Sequence, residues 1–242
     1  MKPYNKIGTT KGEEVREMFN AIAPAYDGLN HILSFQIDKI WRRRVVRFVA
    51  NNTPHNGEIL DLATGTGDLA IAMARQLPDA HVVGADPSEG MLAVAIEKLH
   101  EKGLCEQISL MVQSAEAMSF VDERFHTTTA AFGVRNFTNL EKGLKEMVRV
   151  TRTGGWVVVL EFSTPPNPIF RWFYNLYSRH IMPRVGALFS RDREAYEYLP
   201  ASVVEFASRD EFLRLMRRVG LSSCSAQSQS FGIAQIYVGQ KI

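Results

Sequence analysis

The stretch Glu58-Ile59-Leu60-Asp61-Leu62-Ala63-Thr64-Gly65-Thr66-Gly67-Asp68 constrains this chain more than any other. An apolar strand ends in a carboxylate, a turn of small residues follows, and an amphipathic helix begins. Ile59, Leu60, Leu62 and Ala63 read as a buried parallel strand. Glycines at 65 and 67 leave the backbone bare, so a ligand can lie against it while the chain turns. Leu69, Ile71, Ala72 and Ala74 continue at helical spacing, which aims the free N–H groups of the helix start at whatever fills the turn. Nineteen positions after Gly67, the run His81-Val82-Val83-Gly84-Ala85 ends at Asp86. A second strand there presents an acid to ribose hydroxyls, and two strand ends face one ligand of nucleotide type.

The segment Gly65-Thr66-Gly67-Asp68-Leu69-Ala70 also fits G-x-G-x-x-A, the pattern of nicotinamide and flavin dinucleotide sites. Asp61 argues against that cofactor, because a pyrophosphate arriving at the turn would meet a like charge. S-adenosylmethionine is phosphate-free and carries a cationic sulfur and an ammonium group, so Asp61 suits it better. A glycine turn that serves only tight strand–helix packing is the remaining alternative.

With 242 residues, 45% of them hydrophobic, the chain can bury one substantial core, and we read residues 1–242 as one decorated domain. A formal net charge of +2 gives no sign of a nucleic-acid partner. Cys105 and Cys224 lack metal or disulfide spacing, and the start Met-Lys-Pro-Tyr-Asn lacks an apolar signal core, so a reduced, cytoplasmic setting is expected. None of the six histidines has metal-ligand spacing, and no metal is expected. His31, after Tyr26-Asp27, sits in a segment that could fold over the cofactor, although a capping or surface histidine is the simpler reading.

Strands and helices alternate in an α/β pattern. The patterning predicts N-terminal helices at about 11 to 22 and 35 to 50, strand 58 to 63, helix 68 to 77, strand 81 to 86 and helix 88 to 102. Further strands are expected at 107 to 112, 127 to 132 and 155 to 162, with a helix at 139 to 150 stopped by Gly154-Gly155. A helical insertion covers about 165 to 205, with aromatics concentrated at 168 to 183. A helix at 208 to 218 and strands at 222 to 228 and 233 to 239 close the chain, the last two as an antiparallel pair.

Three phrases carry a family likeness: residues 15–30 (VREMFNAIAPAYDGLN), Ala131-Phe132-Gly133-Val134-Arg135-Asn136 and Val159-Leu160-Glu161-Phe162. Together with Tyr177-Ser178, Tyr196-Glu197-Tyr198-Leu199, Ser202 and the terminal Gly232-Ile233-Ala234, they make the chain resemble the ubiquinone/menaquinone biosynthesis C-methyltransferase family over nearly its whole length. The resemblance implies a class I S-adenosylmethionine-dependent methyltransferase fold, a Rossmann-like, mostly parallel seven-stranded sheet with helices on both faces. It implies methyl transfer to a ring carbon of a polyprenylated quinol, with demethylmenaquinol favoured by the Ser34-Phe35-Gln36 phrase. A ubiquinone-pathway benzoquinol, another phenol or lipid, and a noncatalytic cofactor-binding subunit are the alternatives.

By the same resemblance the cofactor positions fall on Thr66, Asp86 and the pair Ser114-Ala115, where the family usually has Asn-Ala, beside Asp61, Gly65 and Gly67 of the turn. Ser114 offers one hydroxyl where an asparagine offers an amide. Ala131 stands where some members place a serine, and Gln36-Ile37-Asp38 replaces a phrase that holds a histidine, so Asp38 is left out of the catalytic set. His126 stands where the family commonly has an acid.

Arg135 and Asn136 end the fourth strand and are the acceptor-side candidates. Carbon attack on a sulfonium methyl needs an electron-rich quinol, best as its phenolate. Arg135 can stabilise that charge but is a poor base, its pKa lying above about 12, and Asn136 can orient the ring oxygen or a water. The competing reading is a loop tied down by these two side chains. Two segments suit an apolar substrate: the basic amphipathic helix Lys39–Phe48, and the aromatics Phe170, Trp172, Phe173, Tyr174, Leu176 and Tyr177 after the prolines at 165, 166 and 168. They read as a lid and channel for an isoprenoid tail, or as helices docked on the sheet. Peripheral contact with an anionic membrane face and a homodimer complete the partner expectations.

Overall fold

The computed structural model describes residues 1–34, 36–177 and 193–242; the side chains at 29–33, 173, 175, 193 and 196 also lie outside the description. Sequence expectations at Phe35, Phe173, Ser178, His180, Tyr196, the side chain of His31 and the end of the aromatic insertion therefore fall outside the described residues.

Two helices, α1 (Lys11–Leu33) and α2 (Ile37–Asn52), precede the sheet. Regular βα units follow: β1 (Glu58–Leu62), α3 (Asp68–Gln76), β2 (His81–Asp86), α4 (Glu89–Lys102), β3 (Ile108–Val112), β4 (Phe125–Ala131), α5 (Leu140–Val150) and β5 (Thr151–Phe162). The chain closes with α6 (Pro168–Leu176), α7 (Arg193–Glu205), α8 (Arg209–Arg218), β6 (Leu221–Gln229) and β7 (Ala234–Lys241). The seven strands lie in the order β3-β2-β1-β4-β5-β7-β6. All neighbours are parallel except β7, which runs antiparallel to both β5 and β6.

Side chains alternate across the strands and sort into two cores. Ile59, Val82, Val158 and Leu160 pack with Trp41, Val45 and Val49 of α2 and with Leu69 and Met73 of α3. On the other face Leu60, Leu62, Val83, Val157 and Val159 pack with Leu144 and Met147 of α5 and with Phe212 and Met216 of α8. Both faces are covered, as a largely parallel sheet requires. A third cluster joins Val15, Met18 and Ile22 of α1 to Met91 of α4 and to Ala195 and Tyr198 of α7.

That third cluster explains the main departure from the sequence pattern, in which the first helix was expected to end near 22. Helix α1 runs on through Pro24. Proline removes one helical hydrogen bond, but burial of Met18, Ile22 and Ala23 on both sides of that turn holds the helix together. The Gly154-Gly155 pair also behaves differently from the expected helix stop. Helix α5 ends at Val150, where the hydroxyl of Thr151 donates to the Met147 carbonyl at 2.6 Å. The glycines lie inside β5, where the register with β4 slips between Phe125 and Thr127. A Cβ on Gly155 would stand 2.6 Å from the His126 carbonyl, so the irregularity needs that glycine.

Candidate cofactor and acceptor site

The strand order reverses direction between β1 and β4, which is where open α/β sheets leave a crevice at the carboxyl ends of their strands. A cavity of about 350 Å³ occupies that position, within the range of small-molecule sites. Leu62, Ala63 and Gly65 line it from the end of β1, Asp86 and Pro87 from β2, Ser114 to Glu116 from the loop after β3, and Ala131 to Gly133 with Asn136 from the end of β4. Thr10, Val15, Arg16, Phe19 and Tyr26 close it from the N-terminal side.

The crevice is narrow because two strand ends nearly touch. A Cβ on Gly133 would lie 2.4 Å from the Cβ of Ala63, so only glycine fits. The glycine turn itself opens outward: Gly67, the residue before α3, has φ +81°, and nothing lies within 4 Å of where a Cβ on Gly65 would be. The backbone of Gly65 is thus accessible to a ligand, as its position after the strand predicts.

Asp86 joins the turn to the second strand. Its Oδ2 accepts the Gly65 N–H at 2.9 Å and its Oδ1 accepts the Ser88 N–H at 2.8 Å. Burial pushes its pKa up to about 6, and the two backbone donors pull in the opposite direction. Each oxygen keeps lone-pair capacity for a hydroxyl donor from the cavity.

Asp61 is held differently. Its oxygens accept from the hydroxyls of Thr64 at 2.7 Å and Thr129 at 2.8 Å, and burial pushes its pKa also up to about 6. Of the residues expected at the cofactor, Gly65, Asp86, Ser114 and Ala115 line the cavity, whereas Asp61, Thr66 and Gly67 do not. The Ser114 hydroxyl donates to Glu116 at 2.8 Å, and the other Glu116 oxygen accepts the Thr138 N–H at 2.6 Å. Glu116 fixes this loop to the loop after β4.

Thr66 serves a second purpose that the sequence pattern did not suggest. Its hydroxyl donates to Asp27 of α1 at 2.5 Å, and Lys98 of α4 bridges Asp27 at 2.7 Å and Asp68 at 2.5 Å. This ion-pair cluster fastens α1 across the glycine turn. Asp27 reads in sequence only as part of the 15–30 phrase, and Lys98 as an ordinary helix-surface charge.

On the acceptor side, Asn136 lines the cavity and its Oδ1 accepts the Tyr198 hydroxyl at 3.1 Å. Its amide N–H groups are the donors left for a ligand. Arg135 sits behind it in a 2.6 Å ion pair with Glu161, with further bonds from Nε to Ser202 and from Nη1 to the Phe132 carbonyl. Burial pulls the guanidinium pKa down, but Glu161 with Tyr26 and Tyr198 together outweigh it and the net direction is upward. Burial also pushes Tyr174 and Tyr198, which feel the field of Arg135, up to about 12, so both are protonated at neutral pH. Asp38 is buried and ion-paired with Arg42. His126 accepts the Glu58 N–H at the amino-terminal ends of β4 and β1, away from the cavity at their carboxyl ends.

The model of the ubiE/COQ5 methyltransferase family matches residues 7–241. The chain belongs to that family. It is 45% identical to the ubiquinone/menaquinone biosynthesis C-methyltransferase UbiE of Geobacter sulfurreducens over 96% of this chain and 90% of that protein. It is 42% identical to the demethylmenaquinone methyltransferase of Bacteroides fragilis over 100% of this chain and 97% of that one. Among solved structures, the [4+2]-cyclase SpnF is similar with a TM-score of 0.68 at 16% identity, over 96% of this chain and 97% of that chain. A SAM-dependent methyltransferase from Aquifex aeolicus gives 0.60 at 13% identity over 83% and 89%. These last two likenesses establish the class I Rossmann-like fold.

Proposed function

We propose that this chain transfers the methyl group of S-adenosylmethionine to a ring carbon of a polyprenylated quinol, converting a demethylmenaquinol to a menaquinol. The carrying observation is the similarity over its full length to proteins named for quinone C-methylation. The donor set of the cavity fits the cofactor: a bare glycine backbone at Gly65, a carboxylate at Asp86 for two hydroxyls, and, among the described residues that line it, no lysine or arginine except Arg16. A phosphate-rich dinucleotide would find the buried Asp86 carboxylate there, with Glu13 and Glu116 beside it, and little positive charge.

Asp86 and Gly65 hold the ribose, and Ser114, Ala115 and Glu116 border the adenine. Bound there, the cofactor supplies an electrophilic methyl group on a sulfonium. Asn136 meets the acceptor with its amide N–H groups directed at the ring oxygen, whose negative charge raises the nucleophilicity of the adjacent carbon. Tyr198 keeps the Asn136 carbonyl turned away from that oxygen. Arg135 is a positioning residue: its charge is balanced by Glu161, and it fixes the strand ends that carry Asn136. Phe19, Tyr26 and Phe132 exclude water from the reacting atoms. A tail of this kind resides in a bilayer, so the chain meets its acceptor at a membrane surface.

The deciding assay follows label from S-adenosylmethionine into a prenylated demethylmenaquinol, its oxidised quinone and a demethoxy ubiquinol precursor, with mass spectrometry of each product. Transfer to the reduced naphthoquinol alone is the expected result. Transfer to the benzoquinol alone would replace the ring assignment, and no transfer despite tight cofactor binding would favour a noncatalytic subunit.

A further inference from the structure

One face of the molecule carries large apolar side chains in water. On α6, Ile169, Trp172 and Leu176 recur at helical spacing, with Ile169 64% and Trp172 59% exposed. Beside them Phe231, at the tip of the β6–β7 connection, is 70% exposed. Its ring stacks on Phe170 with centroids 4.3 Å apart and planes within 8°, so the helix and the tip form one ridge. Phe231 has φ +59°, between Ser230 at +43° and Gly232 at +93°. A bulky residue in the left-handed region costs free energy, and here the cost sets a phenyl ring into solvent.

Helix α2 borders the ridge directly: the Trp41 indole donates to the Ser230 hydroxyl at 3.0 Å, and Arg44 donates to Gln229. Its exposed residues include Lys39, Ile40, Arg43, Arg44 and Arg47. The single acid of α2, Asp38, is buried against Arg42. No aspartate or glutamate occurs between Ser163 and Tyr177 or anywhere in 221–242. An apolar ridge flanked by cations, with no acid in the two segments that build it, has the chemistry of an interfacial lipid contact, in which rings enter the headgroup boundary and basic groups meet phosphates.

We infer that α6, the Phe231 tip and the basic face of α2 form a docking surface for an anionic phospholipid bilayer. This deepens the proposed function and rests on its reading of a polyprenylated acceptor. The surface lies one aromatic layer from the cavity: Phe132 lines the cavity, packs on Phe162 at 4.5 Å and on Trp41 at 6.2 Å, and Trp41 holds Ser230 next to Phe231. A tail leaving the bilayer at the ridge meets the wall of the site without crossing water.

The test uses the full chain and sedimentation with vesicles of phosphatidylcholine, with and without phosphatidylglycerol. The expected result is binding to the anionic vesicles that salt weakens. Ile169→Ser with Phe231→Ser, and separately Arg43→Gln with Arg47→Gln, each reduce vesicle affinity by about tenfold or more. Thermal unfolding, cofactor affinity and methyl transfer to a detergent-dissolved quinol stay unchanged. Both arginines are surface-exposed, and their pair keeps the test meaningful if the apolar pair disturbs folding. Absence of binding to anionic vesicles, or binding that neither pair weakens, overturns the inference. Loss of self-association in the variants, with vesicle binding unchanged, overturns it in favour of a protein interface. Vesicle binding without methylation of any quinol leaves the surface standing and removes the acceptor reading; methylation in detergent without vesicle binding does the reverse.

Discussion

Arg135 and Glu161 face each other at 2.6 Å with neither side chain reaching solvent to any useful extent. The pair joins the loop after β4 to the end of β5, and the Ser202 contact extends it to α7. Its carboxylate also accepts the backbone N–H groups of Arg135 and Phe162. The charged groups thus satisfy one another and the strand ends around them, and Asn136 is the neighbour they leave facing the cavity.

Truncating one partner leaves the other charge buried. Glu161→Ala is expected to cost about 3–5 kcal/mol of stability, and Arg135→Met with Glu161→Leu to recover most of it, since a buried pair rarely exceeds its apolar replacement. Denaturant titration of the single and double variants reads this. If positioning of Asn136 is the purpose of the pair, the double variant keeps cofactor affinity and loses methyl transfer by roughly tenfold to a hundredfold. Full activity in a stable double variant would make the pair purely structural.

Asp86 gives a pH signature. In the proposed reading its carboxylate accepts two ribose hydroxyls, and its pKa of about 6 lies well above the ordinary 3.8. Cofactor affinity is expected to be flat above about pH 7 and to weaken as pH falls through 6, approaching tenfold per pH unit. Isothermal titration across pH 5 to 8 checks this, and Asp86→Asn should flatten the profile. Stability of the cofactor-free chain has the opposite sign. Between 3.8 and about 6 the folded form holds protons on Asp61 and Asp86 that the unfolded form has lost, so stability declines as pH rises through that window.

Gly133→Ala tests the narrow crevice. The new Cβ would stand 2.4 Å from that of Ala63, so overpacking of about 1–3 kcal/mol is expected, with weaker cofactor binding. Ala63 has φ +54°, which glycine adopts freely. Adding Ala63→Gly should therefore restore both stability and binding, and failure of that rescue would show that the clash is not the cause.

The glycine turn, Asp86, the loop after β3 and the end of β4 were legible because local residue types set them: bare backbone, strand-end acids and apolar runs with a clear period. The covering of the site was not. The first helix was expected to end near 22, yet packing of Met18, Ile22 and Ala23 against Met91 and Tyr198 carries α1 on through Pro24, and only tertiary burial decides that. Glu161 read as part of a strand phrase rather than as the counter-ion of Arg135, because a partner 26 residues away becomes visible only when β4 and β5 pair. Phe231 gave no signal, since its exposure depends on three successive left-handed residues.

The cover over the site rests on Lys98. Its ammonium bridges Asp27 of α1 and Asp68 at the start of α3, and the Thr66 hydroxyl completes the cluster. The groups are partly buried, so salt screens them less than a surface pair. Lys98→Met keeps the aliphatic stem and removes the charge, leaving Asp27 and Asp68 without that bridge. We expect faster amide exchange along α1 and cofactor dissociation several-fold faster, with the association rate little changed because the turn and Asp86 remain intact. Stopped-flow displacement of bound cofactor and hydrogen exchange resolved by segment measure the two effects. An unchanged off-rate with loosened α1 would mean that the helix covers the cavity without retaining its ligand, and retention would then rest on Asp86 and the glycine backbone alone.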